Sequence, residues 1–297
     1  MSRDRCCVWM AVWRCEIVYE YKSIRGGGVG KGDEMLKLAV TGAAGRMGRR
    51  IIALAQEAGD IQITAALEAE GHPLLGSDAG EVAGVGMLGT LITELPQEKP
   101  EVMIDFTVPA STGKWIEYCH DNKIPMVVGT TGLTEAQKQQ IQKASEQVAM
   151  LWAANMSLGV NLLLKVVAEV AQKLPEDFDI EIIEAHHRFK RDAPSGTALE
   201  LARQIAGAKN WPWPGCLVHG RQGGETMREK ETIGMHAVRG GDVVGQHSVM
   251  FSAQGETVEL RHQAHSRDTF VRGALHGGRW LKGRGPGMYS MFDVLDL

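Results

Sequence analysis

The 297-residue chain reads as an α/β protein: a doubly wound parallel sheet followed by an α+β domain built on an open mixed sheet. Three observations predict this. Short apolar runs alternate with helical spacing from Leu36 to Ala153, the pattern of parallel strands joined by right-handed crossovers. A glycine-rich turn, Gly42-Ala43-Ala44-Gly45-Arg46-Met47-Gly48, follows the first run. After Asn155 the alternation stops, and from Thr232 the chain turns β-rich.

Leu36 to Val40 is a short buried strand ending at Gly42. Arg46 to Glu57 is a helix, with Met47, Ile51, Leu54 and Ala55 on one face. Strands follow at Ile61–Leu67 and Glu101–Phe106, a helix at Ser111–Asn122 and a strand at Pro125–Gly129. Thr134-Glu-Ala-Gln137 has the capping-box pattern and opens a helix to Gln147, and Val148 to Ala153 is one more strand. Val160 to Leu174 is an apolar helix, and Phe178 to Ala185 is a strand. Thr197-Ala-Leu-Glu200 predicts a second capping box. Three strands follow at 232–239, 246–252 and 257–262, with turn signals at Gly240-Gly241 and Gln254-Gly255. No helix is long enough to cover both faces of their sheet, so the uncovered face is expected to be apolar and to pair subunits. The segment from Asp268 begins as a helix and is expected to return to the first domain.

A formal net charge of −4 implies no basic face, which argues against a nucleic-acid partner. No apolar run reaches the ~18 residues of a membrane span. Five cysteines, three crowded at Cys6, Cys7 and Cys15, form no disulfide framework and fit a reducing cytoplasm. Cys119 and Cys216 lack metal-ligand spacing, and no metal site is expected. Residues 1–34 differ from the rest: a short apolar run without a small-residue cleavage site, then Gly26-Gly-Gly-Val-Gly30. They read as a disordered tail, or as a spurious extension ahead of a true start at Met35.

In the glycine turn the first glycine permits tightness, the second close approach of a pyrophosphate, and the third close helix-to-strand packing. Read alone, the spacing G-x-x-G-x-x-G suits an ordinary turn as well. Glu68, 20 residues past Gly48 at the end of the second strand, stands where an acid binds a ribose hydroxyl. Gly129-Thr130-Thr131-Gly132 and Ala153-Ala154-Asn155-Met156 end strands at the same carboxyl edge. The densest motif is Glu181-Ile-Ile-Glu-Ala-His186-His187-Arg-Phe-Lys190-Arg-Asp-Ala-Pro-Ser195-Gly196-Thr197-Ala198. Its helix N-terminus makes an anion site, and the lysine and histidines beside it suit a carboxylated substrate. In a regular strand His186 and His187 point oppositely, and two hydrogen-bonded, half-buried histidines are the plainer alternative.

That last block resembles the signature of the dihydrodipicolinate reductase family, also called 4-hydroxy-tetrahydrodipicolinate reductase, of the lysine pathway. The resemblance extends over about Leu36 to Leu297, including Asp105-Phe-Thr107, Ser266-Arg267 with Phe270, and Asp293-Val-Leu-Asp296. It implies His186 as proton donor or acceptor, Lys190 as a second catalytic cation, and His187, Ser195, Gly196 and Thr197 as substrate holders. It also implies a cofactor site of Gly42, Ala43, Ala44, Gly45, Arg46, Met47, Glu68, Gly129, Thr130, Thr131, Ala153, Ala154, Asn155, Met156 and Arg267. The implied organisation is a dinucleotide-binding domain at 35–156, a substrate and tetramerisation domain at 157–266, and a C-terminal return at 267–297. The expected activity is NADH- or NADPH-dependent reduction of a small cyclic dicarboxylate by a cytoplasmic tetramer. Members of the family often carry Arg after the ribose-binding acid, where this chain has Ala69. NADH is therefore favoured, unless Arg46 or Arg50 reaches a 2′-phosphate. Another small-acid dehydrogenase would lack the His-His-Lys loop, and a non-catalytic sensor would have lost His186 or Lys190.

Overall fold

A computed structural model describes residues 35–297, and the expectation for residues 1–34 lies outside the described residues. The first sheet starts with β1 (Leu36–Thr41), α1 (Arg46–Ala58), β2 (Ile61–Leu67), α2 (Ala79–Ala83) and β3 (Ile92–Thr93). It continues with β4 (Val102–Asp105), α3 (Pro109–Asn122), β5 (Met126–Val128), α4 (Glu135–Ser145) and β6 (Ala149–Trp152). The second sheet comprises α5 (Leu158–Lys173), β7 (Asp179–His186), α6 (Gly196–Lys209), β8 (Leu217–His219), β9 (Ile233–Arg239), β10 (Gly245–Ala253) and β11 (Glu256–Ala264). The last elements are α7 (Asp268–Leu281), β12 (Gly287–Tyr289) and α8 (Met291–Leu295).

Among the described residues the first sheet has seven parallel strands in the order β12-β6-β5-β4-β1-β2-β3. Its central strands are buried on both faces over most of their length, in keeping with their apolar-rich sequences. The chain winds outward from β1 through β2 to β3, then restarts on the other side at β4. The reversal between β1 and β4 opens a crevice at their carboxyl ends. The return segment supplies α7, which lies on this sheet, and the edge strand β12. A Cβ on Gly273 would sit 1.7 Å from the Met156 carbonyl oxygen, so α7 meets the chain where it leaves the first sheet at a spacing only glycine allows.

The second sheet is mixed, ordered β11-β10-β7-β9-β8. α5 and α6 cover one face, over a core that includes Val160, Leu164, Ile180, Ile182, Leu201, Ile205 and Phe251. Among the described residues no helix covers the opposite face, which is not the apolar surface expected. Ile183 and Val238 are exposed there, beside Glu181, which pairs with Arg221, Arg228 and His236. A Glu at an outward position draws cations, and this converts the face into a mixed polar one. Gln254-Gly255 closes the β10–β11 hairpin. Gly240-Gly241 makes no hairpin, because β9 and β10 flank β7 on opposite sides. The capping box at Thr134 forms. The one predicted at Thr197 does not: α6 starts earlier, capped by Ser195, and Glu200 turns to Arg203 and Gln204. Among the described residues no helix is long and apolar enough to cross a membrane.

Candidate active site

Two helix N-termini frame the site. At the first, Gly42 takes φ +64°, and the Gly45 N–H closes the turn on the Gly42 carbonyl at 2.9 Å. A Cβ on Gly42 would lie 2.9 Å from Thr107 Cγ2, and one on Gly48 only 2.1 Å from the Gly42 carbonyl oxygen. α1 has no side-chain cap and no acid in its first turn, so its leading N–H groups remain open to an anion. Glu68 is half-buried and held toward the turn, accepting from the Ala44 N–H at 2.9 Å. Ala69 is exposed. Arg50 is committed to Asp268 through two 2.7 Å contacts, which removes it as a ready partner for a 2′-phosphate. Arg46 stands exposed at the start of α1, and Arg267 is exposed on the residue before α7. Gly129 packs so closely on Phe106 that a Cβ would come within 2.3 Å of the ring. A cavity of about 330 Å³ opens at this edge, lined by Thr130, Thr131, Leu133, Lys138, Trp152 and Ala154. These features fit a dinucleotide laid across the crevice: a backbone cradle that side chains would fill, an open helix start and an acid in reach.

The second N-terminus belongs to α6. Ser195 Oγ caps it by accepting from the Ala198 N–H at 3.2 Å, and its first turn also lacks an acid. Beside it β7 ends in His186, whose Nδ1 contacts Glu184 Oε2 at 2.5 Å. Glu184 and His186 share a face because strand side chains alternate. Glu184 is 1% exposed and also accepts from both terminal nitrogens of Arg239, at 2.7 and 2.8 Å, and from the Ser195 N–H at 3.0 Å. Burial opposes its ionisation, but the hydrogen bonds from Arg239 and His186 hold its carboxyl below the usual range. With the carboxylate on Nδ1, His186 presents Nε2 as its working nitrogen. Burial lowers the His186 pKa, Glu184 opposes that, and nearby Lys190 and Arg239 lower it further.

Lys190 pairs with Asp192 at 2.9 Å on the same loop. His187 is half-buried with its Nδ1 shielded and unpartnered among the described residues. His247, missed by sequence reasoning, packs edge-on to His186 at 5.2 Å, and its Nε2 meets Ser195 Oγ at 3.0 Å. Burial, then the charge of His186, pushes its pKa down to about 3, so it is neutral at ordinary pH. The two halves meet at Asn155, beyond β6: its Nδ2 donates to Thr197 Oγ1 at 3.0 Å. Ala153, Ala154 and Met156 flank that residue at the sheet edge. Glu184, Arg239 and His247 were absent from the expected set. Only Glu184 had a sequence signal, two residues before His186 on the same strand face. No cluster of His, Cys, Asp and Glu able to hold a metal occurs among the described residues.

Residues 36–156 match the family described as dihydrodipicolinate reductase, N-terminus, and residues 159–295 the one described as dihydrodipicolinate reductase, C-terminus. The chain is similar to a solved dipicolinate-bound dihydrodipicolinate reductase from Paenisporosarcina sp. TG-14, at 25% identity and TM-score 0.67, covering 87% of this chain and 98% of that one. It shares its fold with an amine dehydrogenase from Mycobacterium smegmatis, at 11% identity and TM-score 0.54 over 86% and 95% of the two chains. It also shares it with GenD2 of gentamicin A biosynthesis in complex with NAD, at 13% identity and TM-score 0.53 over 89% and 87%.

Proposed function

This chain belongs to the dihydrodipicolinate reductase family, and from that premise we propose that it reduces 4-hydroxy-tetrahydrodipicolinate, by way of dihydrodipicolinate, to tetrahydrodipicolinate in lysine and diaminopimelate synthesis. It is an NAD(P)-dependent oxidoreductase, and the nicotinamide supplies the hydride when bound. Residues 35–156 with 267–297 hold the cofactor, and 157–266 hold the substrate. Dipicolinate, the ligand of the Paenisporosarcina relative, is a cyclic dicarboxylate, and the α6 N-terminus suits one of its carboxylates.

The observation that carries this reading is the Asn155–Thr197 hydrogen bond. It joins the sheet edge that faces the dinucleotide to the helix start that receives a carboxylate, with the His186–Glu184–Arg239 chain alongside. The Gly196 and Thr197 N–H groups bind one carboxylate, and Lys190 with His187 the other. Glu184 fixes the His186 ring so that Nε2 passes a proton to the substrate. α1's open N–H groups take the pyrophosphate and Glu68 a ribose hydroxyl. NADH is favoured because Glu68 repels a 2′-phosphate, Ala69 offers it no cation and Arg50 is already paired. The enzyme works in the cytoplasm as a tetramer joined through the outer face of the second sheet. Sedimentation at micromolar concentration tests the assembly, and a monomer refutes it. The activity test couples a synthase, pyruvate and aspartate semialdehyde to generate substrate, with NADH and NADPH in parallel. Cofactor oxidation that depends on the synthase is expected. Its absence with both cofactors overturns the reading.

A further inference from the structure

Asp105, the last residue of β4, is fully buried, and no cation contacts it among the described residues. Its carboxylate is held by four threonine hydroxyls from four places in the sequence. Thr41 at the end of β1 and Thr107 in the following loop donate to Oδ1 at 2.6 and 2.7 Å. Thr112 in α3 and Thr130 after β5 donate to Oδ2 at 2.6 and 2.7 Å. Thr130 Oγ1 also accepts from the Thr107 N–H at 3.0 Å.

Asp105 lies at the reversal point of the sheet, between the two glycine loops. The residues after it fill the gap as a wedge: Phe106 lies against Gly129, and Thr107 against Gly42, each so close that a Cβ on the glycine would collide. We propose that Asp105 is a positioning residue for the dinucleotide: by gathering Thr41, Thr107, Thr112 and Thr130 it sets the spacing between the pyrophosphate loop at Gly42 and the Gly129–Thr131 loop. This rests on the reading of the crevice as a nicotinamide dinucleotide site. Thr41 and Thr112 are both fully buried, so they reach a ligand only indirectly, and their shortest contacts are to Asp105. An amide in place of the carboxylate would turn an NH₂ donor toward two hydroxyl donors and undo half of the arrangement.

The spacing role separates whole dinucleotides from their halves. NADH spans both loops, whereas ADP reaches only the first. The test is calorimetric binding of NADH and of ADP to wild type, Thr112→Val, Thr112→Ser and Asp105→Asn, with a melting curve for each. Thr112→Val is expected to weaken NADH about tenfold, or about 1.4 kcal/mol, with ADP affinity unchanged. Thr112→Ser, which keeps the hydroxyl, should bind NADH like wild type. Asp105→Asn should resemble Thr112→Val with a larger NADH loss, and should it fail to fold, the threonine pair still decides. Folded variants that lose both nucleotides equally, or neither, overturn this inference alone. Wild type that binds neither nucleotide overturns the nicotinamide reading as well.

Discussion

The starts of α1 and α6 are both open to anions, yet they are built oppositely. The first is built mainly of backbone: Gly42, Gly45 and Gly48 shape the turn, the helix start has no side-chain cap, and a Cβ at Gly48 would strike the Gly42 carbonyl oxygen. Around the second, side chains are dense, with Ser195, His186, Glu184, Arg239 and His247 in mutual contact and Lys190 on the adjoining loop. A backbone cradle fixes shape and therefore affinity. A chain of ionisable side chains holds a proton at a chosen atom and therefore governs turnover. Substitutions at the two starts should fail in different ways.

The largest effect is expected at α6. His186→Gln should bind NADH normally and lose roughly 10²–10⁴ in turnover, the usual size of a general acid–base contribution. Full activity in that variant erases the distinction between the two starts. At α1, Gly48→Ala meets backbone that cannot yield, an overpacking that costs about 1–3 kcal/mol. NADH affinity and the melting temperature should drop while kcat at saturating cofactor holds; a kcat loss without a KM rise would break the comparison from the other side. Ala69→Arg should improve NADPH use by roughly tenfold, the worth of a charge-assisted contact near 1.5 kcal/mol. A wild type that already prefers NADPH tenfold would show that another cation, Arg46 first, meets the phosphate.

The smallest effect is a displacement in pH. Burial keeps His186 below the ordinary imidazole value of 6.5 in the free protein, so kcat/KM should fall as pH rises through a point under 6.5. A bound dianion favours the protonated ring, so the corresponding limb of kcat should lie at higher pH. Coincident limbs would mean that substrate charge is not felt at His186. Stability carries its own sign. His247 stays neutral in the native protein down to about 3, whereas unfolded imidazole takes up its proton near 6.5. The unfolded state therefore binds more protons in that window, and the melting temperature should decline as pH falls from 6.5 toward 3.

The long elements were legible because their spacing was long enough to show a period. The run Leu36–Val40 and the helix at Arg46 appear within a residue or two of their expected limits. β3, β8 and β12 have two or three residues each, too few for any period, and are strands only because a neighbour pairs with them. The same limit applies to the sites. Glycines and a capped helix start are local signals. Arg239 reaches Glu184 only through the parallel register of β7 with β9, and Asp105 gathers Thr41 and Thr130 from more than 20 residues away on either side. Partners fixed by register leave no local mark. Ser195 took the cap expected of Thr197, because the helix began two residues earlier and freed Thr197 to meet Asn155.

The edge strand β12 has a consequence for how the protein is made. The sheet that begins at Leu36 receives its last strand at Gly287–Tyr289, after the whole second sheet has been synthesised. β6 ends at Trp152, so about 135 residues leave the ribosome before its free edge finds a partner. At roughly 5–20 residues per second, that is on the order of 10 s. For that interval the strand Ala-Met-Leu-Trp stands as an open, apolar edge of the kind that recruits other chains. A nascent chain stalled before Gly287 should therefore aggregate through its first domain, although that domain's other six strands are already complete.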